Sequence, residues 1–228
     1  IYQCDWSSDV CSSDLPDQPD EAIARAGESF AARQIERRAV VGSNETTRPV
    51  IEQSYERLLR ALDAHLAASR FVLGARPARC DFALYGQLTQ LVRVDPTPTR
   101  IAHATSLRTV AWVDLCEDLS GLELASRGWL APDALPATLR ALLEEAGRTY
   151  APFLLANARA LEADADEVVC TIAGRAWVPR PFPYQAKCLA RPRRDTAALA
   201  PGARARFDRA ISGTGCEALF ADVSAGGA

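Results

Sequence analysis

Tyr55 to Leu88 reads YERLLRALDAHLAASRFVLGARPARCDFALYGQL, and the fold is decided inside it. Ile51, Tyr55, Leu58, Leu62 and His65 recur at spacings of four and three, with Leu59 and Leu66 widening the stripe, which is the pattern of one buried helix face. Pro49 suits the first turn of that helix. The run Gly74-Ala75-Arg76-Pro77 punctuates it, and a second helix follows in which Phe82, Tyr85, Leu88 and Leu91 are expected to share a face.

Working outward, Pro16 to Asp20 is a polar lead-in to a helix over about Glu21 to Val41. Its apolar side is Ile23, Ala26, Phe30 and Ile35, and Gly42 is placed to stop it. Downstream, Asp95-Pro96-Thr97-Pro98 breaks the chain. A short helix around Thr99 to Ala104 is expected next, then one from about Leu107 to Leu119 carrying Val110, Trp112, Val113 and Leu115. After Gly121 the expectation is a helix with Leu135, Leu139, Leu142 and Leu143 that ends at Gly147, and a separate one with Phe153, Leu154, Leu155, Ala158 and Leu161. The β-branched run Val168 to Ile172, the turn Ala173-Gly174 and a return to Trp177 and Val178 predict a small hairpin. Helical stretches near Tyr184 to Leu199 and Ala203 to Ile211 come last, before a Gly-rich tail. Pro192 should break or kink the first of these, at about 3 kcal/mol if it stayed straight. Thr214-Gly215-Cys216-Glu217 has the spacing of a capping box.

The chain of 228 residues is 48% apolar, enough to bury a sizeable core. No apolar run approaches the ~18 residues of a membrane-spanning helix. Of the basic residues only Lys187 is a lysine, and methionine is absent. With the abundant alanine, this usage points to a GC-rich bacterial genome. The segment Cys4 to Leu15, CDWSSDVCSSDL, matches the translation of one reading frame of a common short-read sequencing adapter. Residues 1–15 are therefore expected to contribute nothing to the fold, and natural sequence is expected to have stood before Pro16. The competing reading of that segment is a Cys-rich arm or a metal half-site. It carries Asp5, Asp9 and Asp14 and no base, so the formal charge of −3 resides in it and the rest of the chain is neutral. A neutral body argues against nucleic acid and against anionic membrane surfaces as partners. Cys80, Cys116, Cys170, Cys188 and Cys216 are scattered without CxxC spacing. They read as reduced thiols of a cytoplasmic protein, with no metal site.

Phe71-Val72-Leu73-Gly74 and Asp81-Phe82-Ala83-Leu84-Tyr85, joined by a short loop, resemble the heart of the C-terminal helical domain of the glutathione S-transferase family. Trp112, shortly after Leu107, matches the tryptophan that follows the last interhelical turn there. The resemblance is firm over about 50–122 and looser over the helix before it. It implies a mostly α fold: a glutathione S-transferase-like bundle at 16–124, with 125–228 as a helical extension carrying the hairpin. The segments GRTYAPFLLANARAL, PFPYQAKCL and GTGCEALF of that extension resemble one found in a bacterial subgroup of these proteins. The resemblance also implies a role for Asp81. In the family a Ser or Thr caps the buried helix, and the aspartate three residues later bonds back to the cap; here Ala78 holds the cap position, so only half of the box remains.

The family binds glutathione, and activates its thiol with a Tyr, Ser or Cys, in a thioredoxin-like domain that precedes the helices. No residue here matches that domain's motifs, so no catalytic residue is expected in this chain. The resemblance implies a parent transferase that uses glutathione as co-substrate against an electrophilic apolar small molecule, and it admits a homodimer. Phe30, Arg33 and Arg37 on the first helix would border the cleft between domains, where the arginines would meet a carboxylate of glutathione or of an acidic substrate. The alternative is a solvated helix face shared with Glu36. His65 is open to two readings, a base or a hydrogen-bonded near-core residue. Phe82 and Tyr85 are likewise either walls of an apolar substrate pocket or simply core. Because the same fold occurs in proteins that only bind partners, a non-catalytic binding or assembly module is the rival reading.

Overall fold

The computed structural model describes residues 18–123 and 128–221. The leading segment, the boundary near 124 and the Gly-rich tail lie outside the described residues. The chain is mostly helical, with one two-stranded antiparallel sheet. Helix α1 (Asp20–Arg37) runs into a 3₁₀ turn, Arg38–Val41, and Gly42, in the left-handed region at φ 71°, ends it as expected.

Helix α2 (Arg48–Leu66) is the axis of the core. Its deepest residues are Tyr55, Leu59, Leu62 and His65, with Leu58 and Leu66 packed at the flanks. Around it stand α3 (Arg79–Thr89), α4 (Pro96–Thr105) and α5 (Leu107–Glu117), which add Leu88, Ala102, Trp112 and Val113 to one cluster centred on Phe71. Asp95 caps α4 by accepting from Thr97 N at 3.1 Å, so Pro96 and Pro98 lie in the helix's first turn and do not precede it. Ser106 caps α5 in the same way, through Thr109 N.

One expectation for α3 is corrected: Phe82 is exposed, not core. Steps of three residues turn a helix by about 300°, so a run spaced 3-3-3 drifts off any one face. The helix also continues through a π turn at Gln90–Val94, which carries Val92 into the core beside Leu91.

The largest correction concerns the second half of the chain. Instead of two helices separated at Gly147, a single helix α6 (Ala137–Glu162) passes through both Gly147 and Pro152. Gly147 serves a different purpose: a Cβ there would stand 2.0 Å from the Thr214 carbonyl oxygen, so the glycine admits the Thr214-Gly215 backbone against the helix. Pro152 removes one i→i−4 bond, and the buried positions Ala151, Leu154, Ala156 and Ala160 on either side of it keep the helix packed. Pro192 likewise sits inside a continuous helix, α7 (Pro183–Ala197), where its own carbonyl accepts from Thr196 Oγ1 at 2.6 Å.

The hairpin forms as expected, β1 (Cys170–Ile172) against β2 (Arg175–Trp177), with Cys170 opposite Trp177. Ala173 and Gly174 both have positive φ, the pattern of a type I′ turn. Helix α8 (Pro201–Ile211) and a 3₁₀ turn at Cys216–Phe220 complete the described chain. Thr214 Oγ1 accepts from Cys216 N, while Glu217 reaches Gly213 N and not Thr214 N, one residue off the expected box. The hairpin and α7 pack on α6, and α6 packs on α2, joined there by a two-point ion pair in which Arg57 Nε and Nη2 each lie 2.8 Å from a Glu145 carboxylate oxygen.

Candidate functional site

The residues singled out in the sequence fall in two places, and the structure adds a third. The first is a node at the start of α3. Asp81 is buried, and its two carboxylate oxygens accept from different backbone amides: Oδ2 from Ala78 N and Oδ1 from Val72 N, both at 2.8 Å. The Ala78 bond is the expected half-box; Ala78 has no side-chain acceptor, so the reciprocal half is missing. The Val72 bond was not legible in the sequence, because it depends on how the turn folds back. Phe71 and Gly74 exchange two backbone hydrogen bonds, which brings Val72 over the helix start. Gly74, at φ 124°, also lies against the Gly128 carbonyl, where a Cβ would stand 2.3 Å away. Trp112 Nε1 donates to Arg70 O at 3.2 Å, so the matched tryptophan reaches the same turn.

His65 belongs to this node too. It is fully buried, Nε2 donating to the Val72 carbonyl at 3.0 Å and Nδ1 facing Thr138 Oγ1 at 2.9 Å. A carbonyl only accepts, which places the proton on Nε2. With both ring nitrogens engaged, His65 is a structural link between α2, the turn and α6. Beside the node, Phe82, Leu73, Pro77 and Trp129 line a wide apolar recess of about 650 Å³, and Arg76 lies over the Trp129 ring at 5.3 Å. Tyr85 does not line that recess; its hydroxyl donates to the Glu117 carboxylate.

The second place is α1. Phe30 is half-buried, and Arg33 lies over its ring, guanidinium carbon 5.5 Å from the centroid. Arg33 and Arg37 are both exposed. The structure thus brings Phe30 and Arg33 together, with Arg37 one turn on.

The third place was missed from the sequence. A cavity of about 280 Å³ lies between the end of α1, α2, α6, the hairpin and α7. Val50, Ile51, Phe153, Ile172 and Trp177 form its apolar wall, and Ser54, Thr149, Tyr150 and Gln185 its polar part. Trp177 is fixed by Nε1 donating to Val41 O at 3.2 Å, and Gly42 has no room for a Cβ beneath the indole. Asn157, fully buried, holds the entry to α7 from both sides, Nδ2 donating to Phe182 O at 3.1 Å and Oδ1 accepting from Phe182 N at 2.7 Å. The only hint in sequence was that two of the three extension segments, those containing Tyr150 and Gln185, meet here.

Four of the described thiols are held protonated by burial. Burial pushes Cys80 and Cys116 up to about 11, with Asp81 adding to the rise in each case. Burial also raises Cys170 and Cys216. Tyr85 is raised by its hydrogen bond to Glu117. A thiol held protonated at neutral pH is a poor nucleophile, and the Tyr85 hydroxyl, the donor that could stabilise a thiolate, is already given to Glu117. Among the described residues no His, Cys, Asp and Glu cluster has the makings of a metal site, and no helix is long and apolar enough to cross a membrane. Comparison of the chain with protein-family models, with curated proteins and with solved structures finds no match.

Proposed function

We propose that this chain is the substrate-side helical part of a glutathione S-transferase-like protein, a cytoplasmic bacterial enzyme whose parent adds the glutathione thiolate to an electrophilic apolar molecule. One observation carries the reading. The separated pieces of sequence that resemble the family, Phe71–Gly74, Asp81 and Trp112, converge on a single turn, with Asp81 joining its two ends. In this reading the thiol-activating chemistry belongs to a thioredoxin-like domain, and α1 borders the interdomain cleft, with Phe30 as apolar wall and Arg33 and Arg37 attracting the carboxylates of glutathione. A homodimer and glutathione as co-substrate are part of the same proposal.

Calorimetric titration with S-(2,4-dinitrophenyl)glutathione, which joins both carboxylates to an apolar ring, tests the assignment. Exposed charge pairs contribute up to about 1 kcal/mol each, so the two arginines together give an affinity on the order of tens of millimolar. Replacing Arg33 and Arg37 together by alanine should abolish it. Binding that the double variant leaves unchanged would remove α1 from the site.

A further inference from the structure

The cavity between α2, α6, the hairpin and α7 contains no charged side chain. It does contain an acceptor without a donor. Gln185 Oε1 is buried and has no hydrogen-bond partner, a costly state for an amide oxygen inside a protein.

Three of the donors that line the cavity are already committed, and the fourth, the Tyr150 hydroxyl, belongs to a half-exposed side chain. The Ser54 hydroxyl donates to Ile51 O at 2.8 Å and the Thr149 hydroxyl to Glu145 O at 2.7 Å, each within its own helix. The Trp177 indole N–H is spent on Val41 O. The backbone that carries Gln185 is anchored, its main-chain N–H donating to Phe182 O at 3.1 Å while Asn157 clamps Phe182 in turn. The start of α7 and the aromatic wall are therefore both held in place by bonds outside the cavity, the arrangement of a preformed site.

We propose that this cavity binds a small neutral molecule with an apolar body and one hydrogen-bond donor, an aryl alcohol or an N–H heterocycle, its donor on Gln185 Oε1 and its body between Trp177 and Phe153. Neutrality follows from the lining, since an ion would enter with no counter-charge. The size follows from the volume: about 280 Å³ is just below the span typical of drug-sized ligands, roughly 300–1,000 Å³, and suits one or two rings. The site involves neither α3 nor the arginines of α1, and it stands whether or not the glutathione reading does.

The test uses the whole chain with 4-ethylphenol as probe and ethylbenzene, which lacks the donor, as control. Methyl carbon–proton NMR follows Val50, Ile51 and Ile172 during titration. The expected result is a saturable shift of these methyls with 4-ethylphenol, at an affinity roughly fivefold above ethylbenzene, the factor one hydrogen bond typically supplies. Gln185→Leu should bind both probes alike. Gln185→Met provides the same test with an unbranched chain, should the leucine variant fail to fold. Equal affinity of the native chain for the two probes, a preference that survives in the variant, or the absence of saturable shifts would overturn the proposal and leave the cavity as a hydrated recess.

Discussion

The bundle around α2 and the layer built on α6 are held together differently. Around α2, one continuous apolar cluster gathers Tyr55, Leu59, Leu62, Phe71, Leu88, Val92 and Val113, and the buried polar groups Asp81 and His65 each satisfy two partners. On the α6 side the core divides into two small clusters, Val50 with Ile172 and Trp177, and Ala156 with Ala160 and Val168. There, polar clamps and close backbone approaches do what apolar volume does in the bundle: Asn157 on Phe182, Arg57 on Glu145, Gly147 against Thr214. A layer fixed by discrete polar contacts can hold a cavity open at its seam with α2, and the one lined by Trp177 and Gln185 lies there.

The contrast breaks first at Leu59. Fully buried, it should cost about 2–5 kcal/mol when replaced by alanine, read as a drop in the denaturant midpoint. A loss under about 1 kcal/mol would mean that α2 is not the axis of the core.

Asp81→Ala comes next, at about 3 kcal/mol, because two buried amides lose their acceptor together. Asp81→Asn retains one acceptor oxygen and should lose less. Equal midpoints for native and alanine proteins would show that Asp81 does not cap.

Asn157→Leu is expected to cost about 2 kcal/mol, chiefly through the Phe182 N–H left unpaired, while the Phe182 carbonyl keeps the Gln185 N–H. Hydrogen exchange should show the loss at Phe182 and in the first turn of α7, while α3 keeps its protection. Equal loosening of α3 would erase the distinction between the two regions.

The smallest effect is a gain. Ala78→Ser supplies the missing acceptor of the capping box and should raise stability by about 1 kcal/mol. No gain would indicate that Asp81's second bond, to Val72, already fixes the helix start.

How far the sequence led depends on the distance over which each residue acts. Helix α2 was legible because Tyr55, Leu59, Leu62 and His65 repeat within one element, and the hairpin because Ala173-Gly174 lies between β-prone segments. Gly42 and Gly147 show the limit. Both were read as helix stops, and the reading suits Gly42, where the chain turns locally. Gly147 is glycine because backbone from Thr214 and Gly215 presses on it, a contact no local window contains. The reading of Pro192 as a break failed for the same reason: local propensity opposes it and packing prevails. At the site, the Ala78 half of the Asp81 interaction followed from spacing, while the Val72 half, the Arg57–Glu145 pair and the cavity at Gln185 required the fold.

If these helices shape a substrate side and do not activate a thiol, turnover of glutathione with 1-chloro-2,4-dinitrobenzene, followed by absorbance at neutral pH, should show it. With Cys80 and Cys116 pushed up to about 11 and the Tyr85 hydroxyl given to Glu117, the chain alone should leave the reaction at its uncatalysed rate. A rate above that background, saturable in glutathione and lost with Tyr85→Phe or Cys80→Ala, would place a thiol-activating site within these helices and contradict the claim.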